Sequence, residues 1–233
     1  MKLKGFTLAE VLIVIAVLGV VAALTLPAIN SNVQKQQVGP ALMRAIGTLD
    51  TANALMMEEQ DFYTFRDSCI NQGTSNAGYV TKCFKPYIMQ KIGAAEDNTP
   101  IEYDYIGYVN VGHVQGPVTL GNGNGIGFVT NNGYKYYLYD NDGNTPYQFY
   151  IYALVDVNGS KRPNTFGKDL FAIWIDIEND GKIIANGSRT DGISSDHKWF
   201  NEDMRCDSVE VKRAETCSGS IVDNGGRVIY PWN

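Results

Sequence analysis

The sequence predicts an α+β fold: a long N-terminal helix, with a membrane-spanning front half and an amphipathic back half, packed on an antiparallel β-sheet head. Three observations point there. From Phe6 to Ile29 the chain is apolar, with Glu10 as its sole charged residue. Val38, Leu42, Ala45, Ile46, Leu49, Ala52 and Met56 then recur at three- and four-residue steps, with Lys35, Arg44, Asp50 and Glu58 off that face. Between residues 101 and 186 the chain changes to runs rich in Tyr, Phe, Ile and Val, broken by turn formers.

The first element is set by length and polarity. At 1.5 Å per residue, a helix over Phe6 to Ile29 reaches about 36 Å, enough to cross a bilayer. Lys2 and Lys4 before it hold the N-terminus in the cytoplasm by the positive-inside rule, so everything after Ile29 lies outside. Glu10 is the anomaly. An acid at the centre of a membrane helix costs about 2.5 to 3.5 kcal/mol, and less near its end, so such residues usually have a role and a partner. An ordinary secretory signal accounts for the length of Val11 to Leu24, but no A-x-A follows the run and an acid on its N-terminal flank is unusual. A plain uncleaved anchor leaves Glu10 without a role.

The segment "KGFTLAE" followed by the apolar run resembles the prepilin signature of type IV pilins and type II secretion pseudopilins. The resemblance implies a leader, residues 1 to 5, cut after Gly5 by a prepilin peptidase on the cytoplasmic side. Phe6 then becomes the N-methylated first residue. It also implies that Glu10 pairs with the Phe6 amine of a neighbouring subunit and sets the stagger of a filament, with Gly19 and Pro27 as the family's helix-weakening positions. Phe6 and Glu10 stand four apart on one helix face, so a pair within one subunit stays open. Pro27 lacks an N–H and crowds the preceding turn, so the helix should kink or loosen there, or the span should end; Gly19 weakens it further.

The expected organisation is a leader at 1–5, a transmembrane and assembly helix at 6–29, its amphipathic continuation at 30–62 and a globular head at 63–233. Within the continuation, helix is expected from Pro40 to Gln60, kinked or briefly broken from the membrane segment at Gly39-Pro40, since proline disfavours helix at the residue before it. In the head, "GYKYYLYD" and "YQFYIYALVDV" flank "NDGNTP" and read as a hairpin, and "LFAIWIDIENDGKIIANG" reads as a second, turned at Asn179-Asp180-Gly181. "GPVTLGNGNGIG", residues 116 to 127, lacks the GK[ST] of a phosphate loop and reads as a flexible surface loop. After residue 188 the tail has few periodic strands and many turns.

Four cysteines, Cys69, Cys83, Cys206 and Cys217, with no CxxC and only His113 and His197, do not suit zinc. Local spacing selects Cys69 with Cys83 and Cys206 with Cys217 out of three possible pairings, each disulfide closing a loop worth about 3 kcal/mol. The resemblance adds that Cys206 and Cys217 match in position the disulfide-closed C-terminal loop of type IV pilins, which forms much of their outward surface.

Some pseudopilins carry calcium in their head loops, and Asp156, Asn158 and Asp169 supply hard oxygens around a turn. The run departs from the D-x-[DN]-x-[DN]-G-x5-E pattern, however, and Lys161, Arg162 and Lys168 repel a cation. A structured connection is the favoured reading; "DNDGN" at 140 to 144 is an equally weak calcium candidate.

Composition narrows the function. With 44% hydrophobic and 19% charged residues the chain has room for one sizeable core. Loss of Lys2 and Lys4 takes the net charge from −6 to −8, which argues against nucleic acid as a partner. Two distant histidines assemble no nucleophile, base and orienter, so no catalysis is expected. The expected function is a structural subunit of a type IV pilus or pilus-like filament. Its partners are the prepilin peptidase, other pilin or pseudopilin subunits and the inner membrane, where it waits as a single-pass protein before entering a pilus or periplasmic pseudopilus. The alternatives are a type II secretion pseudopilin, a membrane-tethered binding or adhesion module that does not polymerise, and a secreted enzyme with an ordinary signal.

Overall fold

The computed structural model describes residues 5, 7–59, 61, 79–99, 104–105, 125–139, 150–159, 161, 164–176, 181–188, 206–207 and 214–232, with the backbone alone at 27–30, 79–83, 104–105, 125 and 150. The chain divides into two compact units, Met1–Gln37 and Val38–Asn233. Helix α1, Leu8–Glu59, contributes to both.

From Val11 to Leu26 α1 is apolar on every side, Thr25 apart, and its side chains are exposed, Leu18 at 62% and Leu24 at 75%. It is long and apolar enough to cross a membrane. The Thr25 hydroxyl donates to the Val21 carbonyl at 2.9 Å, the internal satisfaction that a hydroxyl needs at membrane depth.

In the second unit the same helix buries one stripe, Val38, Leu42, Ala45, Leu49, Ala52 and Met56, as the three- and four-residue spacing predicts. The break expected at Gly39-Pro40 is absent, and the helix does not end at Pro27 either. The reason at residue 39 is a tertiary contact. A Cβ on Gly39 would lie 1.8 Å from the Gly226 carbonyl oxygen, so glycine there permits a backbone approach. Val38 and Leu42, both buried, hold this turn while Pro40 faces solvent. Their burial, worth about 1.5 to 3 kcal/mol per large side chain, offsets the hydrogen bond that proline forgoes.

A π-helical segment, Tyr79–Ile88, leads into the short α2, Met89–Lys91. The sheet comprises β1 Ala94–Glu96, β2 Asp104–Tyr105, β3 Gly125–Thr130, β4 Lys135–Tyr139, β5 Tyr150–Asp156, β6 Thr165–Phe166, β7 Leu170–Asp176 and β8 Lys182–Ala185. Their order is β1-β3-β4-β5-β7-β6-β2, and β8 also pairs with β7. Both expected hairpins are present as the antiparallel pairs β4/β5 and β7/β8. Gly181 takes φ 70° in the second turn, a conformation that glycine adopts freely; Asn179, Asp180 and the "NDGNTP" loop lie outside the described residues.

Two features depart from expectation. The end of the glycine-rich stretch is strand, with Gly125 opposite Tyr139 and Gly127 opposite Tyr137, because residues without side chains accept large cross-strand neighbours; residues 116–124 lie outside the described residues. The sheet is also not wholly antiparallel, since β6 pairs in parallel with both β2 and β7.

Both faces of the sheet are covered. Leu49 and Met56 of α1, with Phe84 and Ile88, meet Phe128, Tyr136, Leu138, Ile151, Val155 and Ile173. Phe128 stacks on Tyr136 at 4.8 Å, and the Tyr136 hydroxyl donates to the Ala45 carbonyl at 3.2 Å. Two side chains of the helix then pin the second hairpin. The Ile183 N–H donates to Asp50 Oδ1 at 2.8 Å, and Asn53 Nδ2 donates to the Gly181 carbonyl at 2.7 Å.

The alternate residues, Tyr137, Leu154, Leu170 and Ala172, face the C-terminal tail: Ala214, Cys217, Ile221, Tyr230 and Trp232. Ala214–Thr216 form a 3-10 turn that leads into α3, Cys217–Asp223, five of whose residues are buried. The described portion of this tail is therefore core as well as connection, which its turn-rich sequence did not announce.

Candidate assembly and processing site

The start of α1 is built from two side chains. The Thr7 backbone N–H and hydroxyl both donate to Glu10 Oε2 at 2.8 Å, and the Glu10 N–H donates back to the Thr7 hydroxyl at 3.3 Å. This is a capping box: N-cap threonine and a glutamate three residues on satisfy donors that the first helical turn leaves without partners. Thr7 was missed in reading the sequence, although T-x-x-E ahead of an apolar run is the signal for such a box. The consequence is directional. Capping turns the Glu10 carboxylate back toward the beginning of the helix, the side on which Gly5 precedes it.

Gly5 is exposed and has nothing within 4 Å of its Cβ direction. Phe6 lies outside the described residues. Gly19 is helical and equally uncrowded, and Pro27 is helical in its backbone. From Val11 to Leu26 the exposed side chains include Leu12, Ile13, Ile15, Leu18, Val20 and Val21, each more than half exposed. A helix apolar on all sides requires lipid or other helices around it. The arrangement thus pairs a membrane-seeking surface with a carboxylate presented at its N-terminal end.

In the head, Cys206 and Cys217 form a disulfide with 5.0 Å between their Cα atoms. Both cysteines are buried, at 7% and 0% exposure, so the bond belongs to the core under the second sheet face. Residues 208–213 of its loop, Cys69 and the side chain of Cys83 lie outside the described residues.

The structure brings Asp156, Asn158 and Asp169 together. The Asn158 N–H donates to Asp156 Oδ1 at 3.0 Å, and Asn158 Nδ2 donates to Asp169 Oδ2 at 2.7 Å. Asp169 Oδ2 also accepts from the Asn164 N–H at 3.1 Å, and its Oδ1 accepts from the Thr165 N–H. Calcium takes six to eight oxygen ligands. Both oxygens of Asp169 are engaged by N–H groups, whereas Asp156 Oδ2 and Asn158 Oδ1 are buried without a hydrogen-bond partner. The three residues form a hydrogen-bonded turn, and no group of three or more acidic, histidine or cysteine side chains that could hold a metal occurs among the described residues. Asp140 to Asn144, the other calcium candidate, lie outside the described residues.

Residues 1–26 match a family model described as the prokaryotic N-terminal methylation motif, the prepilin-type cleavage and methylation signal of type IV pilins and pseudopilins. The match covers Gly5, the capping box and most of the apolar run. No solved structure matches the chain.

Proposed function

We propose that this chain is a structural subunit of a type IV pilus or pilus-like filament, cleaved after Gly5, methylated on Phe6 and polymerised through the apolar front of α1. The carrying observation is the methylation motif at residues 1–26, continuous with a helix that is exposed and apolar on every side. The motif by itself supports a type IV pilin-like or pseudopilin protein, processed by a prepilin peptidase and anchored in a membrane.

The Thr7–Glu10 box supports the further step to assembly. Before cleavage the chain continues through an ordinary peptide bond at Phe6, and capping satisfies the Glu10 carboxylate within its own helix. Cleavage creates a cationic amine at Phe6. A carboxylate presented at the same helix end is positioned to pair with that of an adjacent subunit, in surroundings where an unpaired charge is costly. The Phe6–Glu10 spacing admits its own amine as the competing partner.

Mass spectrometry of protein isolated from its native host tests the reading. The mature chain should begin at methylated Phe6 and occur in sheared surface filaments. A start near Ala23 or beyond returns the segment to a secretory signal. A methylated chain confined to a periplasmic secretion filament assigns the pseudopilin alternative, and one in membranes with no filament assigns the tethered binding module.

A further inference from the structure

The turn of α1 that carries Gly39 and Pro40 is helical against its own sequence. Glycine and proline are the two weakest helix formers, and Pro40 offers no N–H to the carbonyl of Gln36 one turn back. Something outside the helix holds it. Pro40 is exposed, so the support arrives on the side of Val38, Gly39 and Leu42, all three buried.

The buried stripe of α1 is divided between two clusters. Ala45, Leu49, Ala52 and Met56 pack in the cluster with Phe128 and Tyr136, whereas Val38 and Leu42 pack in the one that holds Ile221, Tyr230 and Trp232 of the tail. The turn therefore leans on the tail, and most closely at one place. Helix α3 ends in a Schellman motif: the Gly226 N–H donates to the Ile221 carbonyl at 2.9 Å and the Gly225 N–H to the Val222 carbonyl at 3.0 Å. Both glycines have positive φ, 64° at Gly225 and 81° at Gly226. That backbone brings the Gly226 carbonyl onto Gly39, where a Cβ would lie 1.8 Å from the oxygen, so an α-hydrogen of Gly39 faces it. Met43, one turn on, flanks the same glycine, its Cγ 3.4 Å from the Cβ direction of Gly226.

The α3 side of this contact is fixed to the sheet. The Gly219 N–H donates to the Asn186 carbonyl at 2.8 Å, and the Ser218 hydroxyl donates to the same carbonyl at 3.0 Å. Cys217 is tied to Cys206. A Cβ on Gly219 would lie 2.0 Å from the Ser188 nitrogen, so α3 rests directly on backbone there.

We propose that the turn at Gly225 and Gly226 is a clamp on a latent hinge: α1 is one helix across Gly39-Pro40 while α3 is seated, and opens there into two helices when α3 leaves its seat. The two events are one, because each removes the other's support. Unseating α3 takes the apolar cover from Val38 and Leu42 and leaves glycine and proline to continue a helix unaided. Opening the helix takes from the tail its contact at Gly39. Coupling of this kind is reciprocal, so whatever favours the continuous helix also holds the tail. Residues 45–56 keep their own cluster and stay helical, which makes the opening a local event distinct from global unfolding. The clamp operates in the single chain and needs no filament.

The test is amide hydrogen exchange of the full chain in detergent micelles, read at residues 41–44, at 219–226 and, for reference, at 49–56, with low concentrations of denaturant to sort local from global opening. In wild type the first two windows should share one opening free energy, lower than that of the reference. Different values for those two overturn the proposal. So does a single value for all three, which assigns the opening to the whole head. Pro40→Ala tests the coupling from the helix side, since it restores an N–H and the best helix former at an exposed position and disturbs no buried contact. Protection should rise at 219–226 as well as at 41–44, by about fivefold or more, the lower end of usual coupling between sites. A rise confined to 41–44, or none at either window, overturns the proposal.

Discussion

Helix α1 runs from Leu8 to Glu59 under two sets of physical rules. Over its front half the apolar side chains are exposed on all sides, whereas over its back half a single stripe is buried and the remaining surface mixes polar residues such as Arg44, Thr51 and Glu58 with exposed Met43 and Leu55. The same backbone geometry thus serves two solvents. The front half is finished only by surroundings that the single chain does not supply, while the back half is finished by the sheet. Substitutions in the two halves should accordingly fail in different assays.

The largest expected effect is at the front. Glu10→Ala removes both the cap and the charge, whereas Glu10→Gln keeps a side-chain oxygen for the capping box and loses only the charge. If pairing with a neighbouring amine sets assembly, both variants should abolish or sharply reduce filaments while cleaved subunit accumulates in the membrane. Surface filament yield is to be measured beside membrane-fraction abundance, with labelled mutant sought in sheared fibres in case the chain is a minor subunit. Loss with Ala but not Gln would identify the cap rather than the charge as the requirement, and normal filaments with both would remove Glu10 from the assembly mechanism.

At the back the readout is thermal or denaturant unfolding. Leu49→Ala, at a position 1% exposed, should cost about 2 to 5 kcal/mol. Leu18→Ala, at 62% exposure, should leave the unfolding of the head unchanged and affect membrane partition instead. Equal losses of head stability would mean that the two halves are not energetically separate.

The disulfide comes next. Cys206→Ala with Cys217→Ala opens a link between residues 11 apart under the second sheet face, and should cost about 2 to 4 kcal/mol. Reduction of the wild type under the same conditions should reproduce most of that loss.

Two glycines of one helix give the finest comparison. Gly39→Ala must push a methyl group against the Gly226 carbonyl, whereas Gly19 has nothing within 4 Å. The first should destabilise the head by about 1 to 3 kcal/mol. The second should favour local helix by about 0.5 to 1 kcal/mol, as glycine-to-alanine changes do in open helix, and should leave head unfolding where it was. A stable Gly39→Ala would show that the turn at Gly226 gives way.

Much of this molecule is legible without coordinates, and the boundary of legibility is physical. Residue spacing carries the apolar span, the buried stripe of α1, both hairpins and the local pair Cys206 and Cys217, because each depends on neighbours within one turn, one strand or one short loop. The offsets of Gly5, Phe6, Glu10 and Pro27 belong to the same class. So does the Thr7–Glu10 box, present in the letters but masked by the more conspicuous question of a charge in lipid. What the letters do not contain is the identity of distant partners. Gly39-Pro40 reads as a helix break until Gly226 takes up the space beside it, and Gly125 to Gly127 read as loop until Tyr137 and Tyr139 pair with them. The parallel contacts of β6 join residues whose separation encodes no register, and the burial of Asp156 and of the tail follows from which surfaces face one another. Local periodicity determined which segments of this protein are helix or strand; only the tertiary structure decided which of their side chains lost water, because desolvation depends on every surface that arrives from elsewhere in the chain.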